Sequence, residues 1–298
     1  MILTSLPDLP PRPQTPANAR FRQQFYARWG RENAIVSGHS THAEYARIAQ
    51  TLSIKMTLGG RERFFLPQRD VVLDDDNLLV LNEGSRYGSL LQATQTAWTF
   101  AIFFRPGMQD EVAAQQARSM QAALDSPQQP GRAVGFAEHL RPHQGPLRAQ
   151  LKRIARAVQA GEGDEEWLEE QLTALLATML VQECRQVADV AARPALRAEL
   201  HRRLRLAADF IESHYTQTLT LQQMAAAATL SRFHFVREFS RLFGLTPHAY
   251  LTRKRARAAV RMRLAGVSDA ELVAQHCGFG SRWSLQRALQ RYGGQLPP

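Results

Sequence analysis

A short element of the sequence occurs twice, and this repetition restricts how the last third of the chain can fold. SRFHFVREFSRLFGLTP, residues 231–247, returns fifty residues later as SRWSLQRALQRYGGQLP, residues 281–297. We call these the first and second repeat. In the first repeat, Phe235, Phe239 and Leu242 fall on one side of a helix and Arg237 on the other. The repeat therefore predicts an amphipathic helix with one apolar face and one basic face.

Each repeat follows a stretch that predicts a second, shorter helix. Thr220 and Gln223 have capping-box spacing ahead of an Ala-rich run, and Ser231 suits the N-cap of the helix that follows. Ser268 and Glu271 have the same spacing ahead of the second repeat. A helix, a tight turn and an amphipathic helix form the helix-turn-helix pattern, so we expect two such units.

The segment between the two units predicts a long connecting helix. PHAYLTRKRARAAVRMRLAG opens with Pro247 and closes with Gly266, which suit a helix start and a helix end. A helix of roughly eighteen residues is about 27 Å long. Helices that enter successive major grooves on one face of DNA lie about 34 Å apart. One chain is therefore able to hold both amphipathic helices against a two-part DNA site.

Positive charge is concentrated in the same region. The chain carries a formal net charge of +10; residues 196–298 hold 16 basic and 6 acidic side chains, whereas residues 1–195 hold 21 of each. Such an excess favours a polyanionic partner, usually nucleic acid. A basic helix face that simply contacts solvent is the alternative.

The part of the chain before residue 196 shows two other sequence patterns. From about residue 50 to residue 104, short apolar or alternating runs broken by Gly, Pro and Asp predict a compact β-sandwich or barrel. After DSPQQPGRA, leucines at helical spacing predict two helices that form an antiparallel hairpin. The hairpin either packs on its own β domain or uses a remaining Leu face to join two subunits.

The C-terminal hundred residues resemble the DNA-binding domain of AraC/XylS-type transcription regulators. The resemblance rests on S-x-x-x-F-x-R-x-F-x-x-x-x-G-x-x-P-x-x-Y, which the chain meets from Ser231 to Tyr250. The β-rich part is more loosely similar to the cupin-like sensor domain of that family. The resemblance implies a sequence-specific regulator with double-stranded DNA as partner, a small-molecule effector, a homodimer and, for an activator, RNA polymerase.

The expected architecture is α+β. A flexible Pro-rich leader (1–20) precedes a cupin-like β-barrel sensor domain (21–145) and an antiparallel helical hairpin that dimerises (146–192). An all-α domain (196–298) then carries two helix-turn-helix units joined by a linker helix.

The same resemblance assigns residues to DNA. The base-reading residues are Phe233, Val236 and Arg237 in the first repeat and Trp283, Gln286 and Arg287 in the second. Physical chemistry favours the two arginines, because a guanidinium can bond guanine O6 and N7 together; a surface salt bridge is the alternative. The phosphate-contacting residues are Ser231, Arg232, Arg241, Ser281 and Arg282. Because the first repeat is more apolar, we expect it to anchor binding.

The N-terminal half of the sequence offers little sign of catalysis or metal binding. His39, His42 and Glu44 lack a metal-binding spacing, so we expect no metal, no cofactor and no catalytic residue, and no effector contact is assigned. Two alternatives stay open: a cupin-type metalloenzyme with an appended helical domain, and a DNA-binding module controlled by a protein partner. Cys184 and Cys277 suggest no disulfide framework. No signal peptide or membrane span is evident, so we expect a cytoplasmic protein.

Overall fold

A computed structural model describes residues 1–3, 27–124, 135–142, 145–162, 164–191 and 195–293. The chain divides into two compact units, residues 1–192 and residues 193–298. The first unit is built on a β-sheet with helices packed against it, and the described part of the second is helical. This mixed α+β organisation, with the sheet in the N-terminal region, is the one that the sequence predicts.

In the described part of the N-terminal unit, eight strands form one sheet. They are β1 (Ile2–Leu3), β2 (Ala34–Ala49), β3 (Ser53–Leu58), β4 (Glu62–Phe65), β5 (Asp70–Leu73), β6 (Asn77–Leu81), β7 (Arg86–Phe103) and β8 (Leu140–Pro142). Their order is β1-β2-β7-β3-β6-β8, and β4 pairs with both β5 and β7. Strand β7 pairs antiparallel with three other strands, so it organises the whole sheet.

The long β2–β7 ladder bends at two irregular positions. Its register shifts between Ser40 and His42 and again between Tyr45 and Ile48. The strands come very close at the second shift, because a Cβ atom added at Gly88 would lie 2.7 Å from the carbonyl oxygen of Tyr45. Such bulges increase the local twist of a strand, which lets β7 pair with β3 at one end and β4 at the other.

Among the described residues of the N-terminal unit, three helices pack with the sheet: α1 (Met108–Leu124), α2 (Gly145–Ala160) and α3 (Glu165–Ala191). The predicted hairpin corresponds to α2 and α3, and the Asp164 carboxylate caps α3 by accepting the Trp167 backbone N–H at 2.8 Å. The leucines that predicted these helices are buried in a core shared with Phe100 and Phe104 of the sheet region. This apolar face is therefore occupied within the unit, as the simpler interpretation of the hairpin requires.

The structure corrects three details of the sequence interpretation. A long strand, β2, begins at Ala34, well before the residue 50 that the sequence indicated, so His39 and His42 lie on β2. Helix α1 was not predicted, because its sequence is rich in Ala and Gln. Within the predicted leader, Ile2–Leu3 form β1 and pair in parallel with β2, while residues 4–20 lie outside the described residues.

Over residues 195–293, the C-terminal unit contains six helices. They are α4 (Ala195–His214), α5 (Leu221–Ala227), α6 (Arg232–Phe243), α7 (Pro247–Leu264), α8 (Ala270–His276) and α9 (Arg282–Tyr292). Their shared core contains the buried faces of both repeats and of α7, including Phe235, Phe239, Leu251 and Leu285. The predicted connecting helix is therefore present as α7, with 18 residues.

A buried ion pair connects β8 to α3 in the N-terminal unit. The Arg141 Nη2 donates to Glu183 Oε2 at 2.7 Å, and the two side chains are only 9% and 4% exposed. Glu183 also accepts the Ala137 backbone N–H at 3.0 Å. Removing one partner of such a pair leaves the other charge buried without compensation.

We therefore expect Glu183→Gln to lower the free energy of unfolding by about 3–5 kcal/mol. The control is Glu111→Gln, which breaks an exposed pair with Arg105 and should cost less than about 1 kcal/mol. Urea denaturation followed by tryptophan fluorescence measures both variants. Equal shifts of the two would contradict the structural role given to Glu183.

Candidate nucleic-acid interface

The first helix pair, α5 and α6, is fixed at its ends by local hydrogen bonds. Thr220 and Gln223 form the predicted capping box at the start of α5. Ser231 caps α6 by accepting the His234 backbone N–H, as the sequence predicts. Helix α6 ends at Gly244, whose φ of +69° is left-handed and closes the helix. Both ends of the exposed helix are therefore set by its own sequence.

The second pair, α8 and α9, differs from the prediction at one cap. The N-cap of α8 is Asp269 and not Ser268: its carboxylate accepts the backbone N–H groups of Glu271 and Leu272 at 2.8 and 3.2 Å. A carboxylate at this position also interacts favourably with the helix dipole, which explains why the helix starts one residue later. Ser281 caps α9 as predicted.

The turns inside the two pairs use different left-handed residues. In the first pair the turn contains Thr229 with φ +52°, which is uncommon for a β-branched side chain. In the second pair it contains Gly278 with φ +77°, packed so tightly that an added Cβ atom would lie 2.7 Å from the Tyr215 carbonyl oxygen. Gly278 therefore places the second pair directly against the backbone that follows α4.

Equivalent aromatic side chains stand exposed at the start of α6 and α9. Phe233 is 79% exposed and Trp283, fifty residues later, is 66% exposed. Val236 is half-buried beside Phe233, while Gln286 and Arg287 are exposed on α9. The structure thus brings each predicted set of three base-reading residues onto the accessible part of one helix.

Two arginines of α6 form ion pairs with one nearly buried carboxylate, that of Glu238. Arg237 Nε donates to Glu238 Oε1 at 2.9 Å, Arg241 Nη1 donates to Glu238 Oε2 at 3.1 Å, and His234 Nε2 lies 4.0 Å from Oε1. The Glu238 side chain is only 9% exposed, whereas those of Arg237 and Arg241 are 57% and 73% exposed. The salt bridge that the sequence allows as an alternative is therefore present at Arg237.

Two opposing effects act on the Glu238 carboxyl. Burial raises its pKa, but the hydrogen bond from Arg237 and the charges of Arg241, Arg237 and His234 together lower it below its ordinary value. The carboxylate is thus stabilised as an anion between basic side chains. Glu238 was not among the predicted site residues, because the prediction took into account only that acidic residues are few in this region.

Helix α9 has no corresponding acid. Ala288 stands at the position matched to Glu238, and it is buried. Within the residues that the structure describes, neither Arg287 nor Arg291 forms an ion pair, and Arg291 lies over the ring of Tyr292. The two exposed helices share their arginines but differ in what holds them.

The phosphate-contacting candidates lie at the start of these helices. Arg232 and Arg282 are exposed in the first turn of α6 and α9, and Arg241 is exposed near the end of α6. The hydroxyls of Ser231 and Ser281 accept backbone N–H groups as caps. Each helix start therefore combines an exposed guanidinium with a capping hydroxyl, which suits an anion.

Some basic residues of α7 serve the fold instead. Lys254 is buried and its Nζ lies 2.8 Å from Glu212 Oε2 on α4. Arg255 donates to the carbonyl oxygens of Tyr215 and Gln217 at 2.7 and 2.6 Å. These two side chains attach α7 to α4 and the turn after it, while Arg263 remains exposed.

The histidines His39 and His42 of the N-terminal unit lie on strand β2. His39 stacks on Trp98 with ring centroids 6.0 Å apart. Within the described ranges, no three His, Cys, Asp or Glu side chains come together as metal ligands do. None of the described helices has the length and apolar character needed to cross a membrane.

The C-terminal unit has the features of a DNA-binding helix-turn-helix domain: a capped helix, a tight turn and an exposed basic helix. Residues 211–252, which run from α4 into α7, match the model of the bacterial regulatory helix-turn-helix proteins of the AraC family. This match confirms the AraC-type resemblance that the sequence predicts for this segment.

Individual proteins give related matches. The chain is 32% identical over 89 residues to a probable transcriptional regulator, LumQ, of Photobacterium leiognathi. That alignment covers 30% of this chain and 36% of LumQ, so the chain spans about a third of this relative's length.

Two solved structures are also similar. The DNA-binding domain of AdpA in complex with a target DNA is 31% identical, covering 30% of this chain and 79% of that one, with a TM-score of 0.27. ToxT from Vibrio cholerae is 9% identical, covering 88% of this chain and 95% of that one, with a TM-score of 0.37.

The turn of the second helix pair gives a direct test of its packing. We expect Gly278→Ala to lower the free energy of unfolding by roughly 3 kcal/mol or more, because its Cβ would meet backbone atoms that cannot easily move. Gly244→Ala is the matched control: φ is again left-handed, but nothing lies within 4 Å of the added atom. It should cost only about 1–2 kcal/mol. Thermal unfolding followed by circular dichroism distinguishes them; an equal loss would show that the close approach at Gly278 is relieved elsewhere.

Proposed function

We propose that the protein is a sequence-specific, DNA-binding transcription regulator of the AraC/XylS type. In this proposal both helix pairs are helix-turn-helix units, and α6 and α9 enter successive major grooves. The observation that carries it is the repeated surface: an exposed aromatic residue and an arginine at matched positions on two helices, Phe233 and Arg237, then Trp283 and Arg287. The 18-residue helix α7 between them has a length suited to this spacing.

The proposed DNA contacts follow from these exposed faces. Arg237 and Arg287 bond guanine, and Phe233, Val236, Trp283 and Gln286 contact the neighbouring base edges. Ser231, Arg232, Arg241, Ser281 and Arg282 contact phosphates. Phosphate contacts release counterions, so they set affinity and its salt dependence more than the choice of sequence.

The N-terminal part of the proposal concerns regulation. Residues 21–145 form a cupin-like sensor domain for a small molecule, residues 146–192 contribute to a homodimer, and the regulator contacts RNA polymerase if it activates transcription. Since the leucines of α2 and α3 are buried in their own unit, a dimer contact would use the outer side of α3, where Ala174 and Val181 are exposed. The protein acts by binding, and no residue is assigned a catalytic role.

A buried polar cluster supports the sensor role. Lys55, Thr57, Glu62 and Ser89 are each at least nine-tenths buried. Lys55 Nζ lies 3.4 Å from the ring centroid of Phe103, and burial lowers its pKa well below the ordinary value although the Glu62 charge opposes this. Buried ionisable groups with shifted pKa values are more frequent at functional sites than elsewhere.

We expect a small-molecule effector, screened from a metabolite library by thermal shift, to stabilise the wild-type chain but not Lys55→Met. A ligand at a hundred times its dissociation constant contributes about 2.7 kcal/mol to stability. If an effector stabilises the wild type and Lys55→Met equally, Lys55 is not part of the effector site.

The DNA-binding proposal is tested with Arg237→Ala and Arg287→Ala. Losing a bidentate contact to guanine should weaken binding to the upstream region of the protein's own gene by about 1–3 kcal/mol. We expect the larger loss at Arg237, because the first repeat has the larger aromatic core. Arg202→Ala removes the same charge from α4, where Arg202 pairs with Glu199, and serves as the control. If both recognition variants bind as tightly as the control, the reading helices are misassigned.

A further inference from the structure

The bond between Arg237 and Glu238 uses one particular edge of the guanidinium. The donor to the carboxylate is Arg237 Nε, at 2.9 Å. A guanidinium has five N–H donors in a planar fork, so this bond leaves both terminal amino groups available. Those two groups are the ones that reach guanine O6 and N7 in a bidentate contact.

An arginine whose side chain is already held in place before DNA binds discriminates between bases better than a mobile one. Ordering a long, exposed side chain on binding costs about 0.5–1.5 kcal/mol, and Arg237 is 57% exposed. A nearly buried carboxylate loses less of its attraction to solvent screening than an exposed one does. Glu238 therefore restricts the directions in which the Arg237 fork can point before DNA arrives.

We propose that Glu238 is a positioning residue for base recognition, which holds Arg237 through Nε so that its two terminal amino groups are presented to guanine. This rests on the proposed function, because it concerns how α6 reads DNA. Glu238 touches no base in this role. It acts through Arg237, and through Arg241 at its other oxygen.

The same carboxylate has an opposite effect on general affinity. It offsets part of the positive charge of Arg237 and Arg241, so it weakens the attraction of α6 to any DNA backbone. Glu238 thus lowers affinity for DNA of unrelated sequence while it raises discrimination at one base. These two effects have different signs and can be measured separately.

Helix α9 provides a comparison within the same chain. Arg287 and Arg291 repeat the positions of Arg237 and Arg241, but Ala288 replaces the carboxylate. The second helix should therefore discriminate guanine less sharply, although Arg287 and Arg291 are also exposed. A variant that removes Glu238 makes the first helix resemble the second in this respect.

The experiment uses the full chain and a DNA duplex that the wild-type chain selects from a random-sequence library. Each guanine is replaced in turn by 7-deazaguanine, which lacks the N7 acceptor, and the ratio of dissociation constants is measured at fixed salt. At the guanine read by Arg237 we expect a loss of about tenfold. Arg237→Ala, whose ratio there should fall to about one, identifies that position.

Glu238→Gln and Glu238→Ala are then compared at the same guanine. Glutamine keeps a neutral acceptor for Nε and alanine keeps none, so the ratio should fall in the order wild type, Gln, Ala, reaching about two to threefold for alanine. Both variants should bind a duplex of shuffled sequence more tightly than the wild type. Glu271→Gln changes the net charge of the unit equally at an exposed site on α8 and should leave the ratio unchanged.

The outcomes separate the inference from the function on which it rests. A wild-type ratio retained in both Glu238 variants would overturn the positioning role, and so would an equal fall in Glu271→Gln. If the wild-type chain selects no sequence at all, the proposed function fails instead. Circular dichroism checks that each variant is folded. If Glu238→Ala does not fold, the result for Glu238→Gln, which preserves side-chain volume, decides whether Glu238 positions Arg237.

Discussion

The two exposed helices of the C-terminal unit are positioned by the burial of one other helix, α7. Its inner side carries Leu251, Ala256, Ala258 and Ala259, all buried in the core that both repeats share. Small side chains let neighbouring helices approach closely, so a shift of α7 would be felt by both pairs. Its N-terminus is also fixed, because Thr246 caps it and Pro247 occupies its first turn.

Charge is used on α7 in two different ways. Lys254 pairs with Glu212 in the interior, where losing either partner would leave an uncompensated charge. Arg255 satisfies carbonyl oxygens at the turn after α4, and the Gly278 turn packs against that same backbone. The basic excess of the C-terminal unit is therefore only partly available to DNA, because some of it joins α4, α7 and the second pair.

What the sequence could predict was mostly local. The caps at Thr220, Ser231 and Ser281 and the limits of α7 follow from residue types at short spacing, and the structure has them. Helix α1 could not be recognised because few large apolar side chains mark its inner face. Strand β2 was overlooked because AIVSGHSTHAEYARIA mixes small, polar and apolar residues without clear alternation, and its partner β7 begins only at Arg86, after four other strands.

In the candidate site, too, only part of the arrangement could be predicted from the sequence. The faces of α6 and α9 could be read from periodicity, because helical spacing decides which residues share a side. The contact between Arg237 and Glu238 could not, since neighbours in sequence point 100° apart on a helix and rarely face each other. It depends on the side-chain conformations that bring His234, Arg237 and Arg241 around the nearly buried Glu238 on one helix.

The difference in apolarity between the two repeats has a bearing on that contact. In the first repeat, the rings of Phe235, Phe239 and Phe243 follow each other at 5.1 and 4.4 Å, and Tyr250 closes the cluster from α7. In the second repeat, the inner face is built from Leu285, Ala288 and Tyr292. Holding an arginine in place improves base reading only if the helix that carries it is itself held, since any movement of the helix moves the guanidinium. The helix with the carboxylate is also the one with the aromatic core, so both features support the proposal that the first repeat reads sequence more exactly than the second.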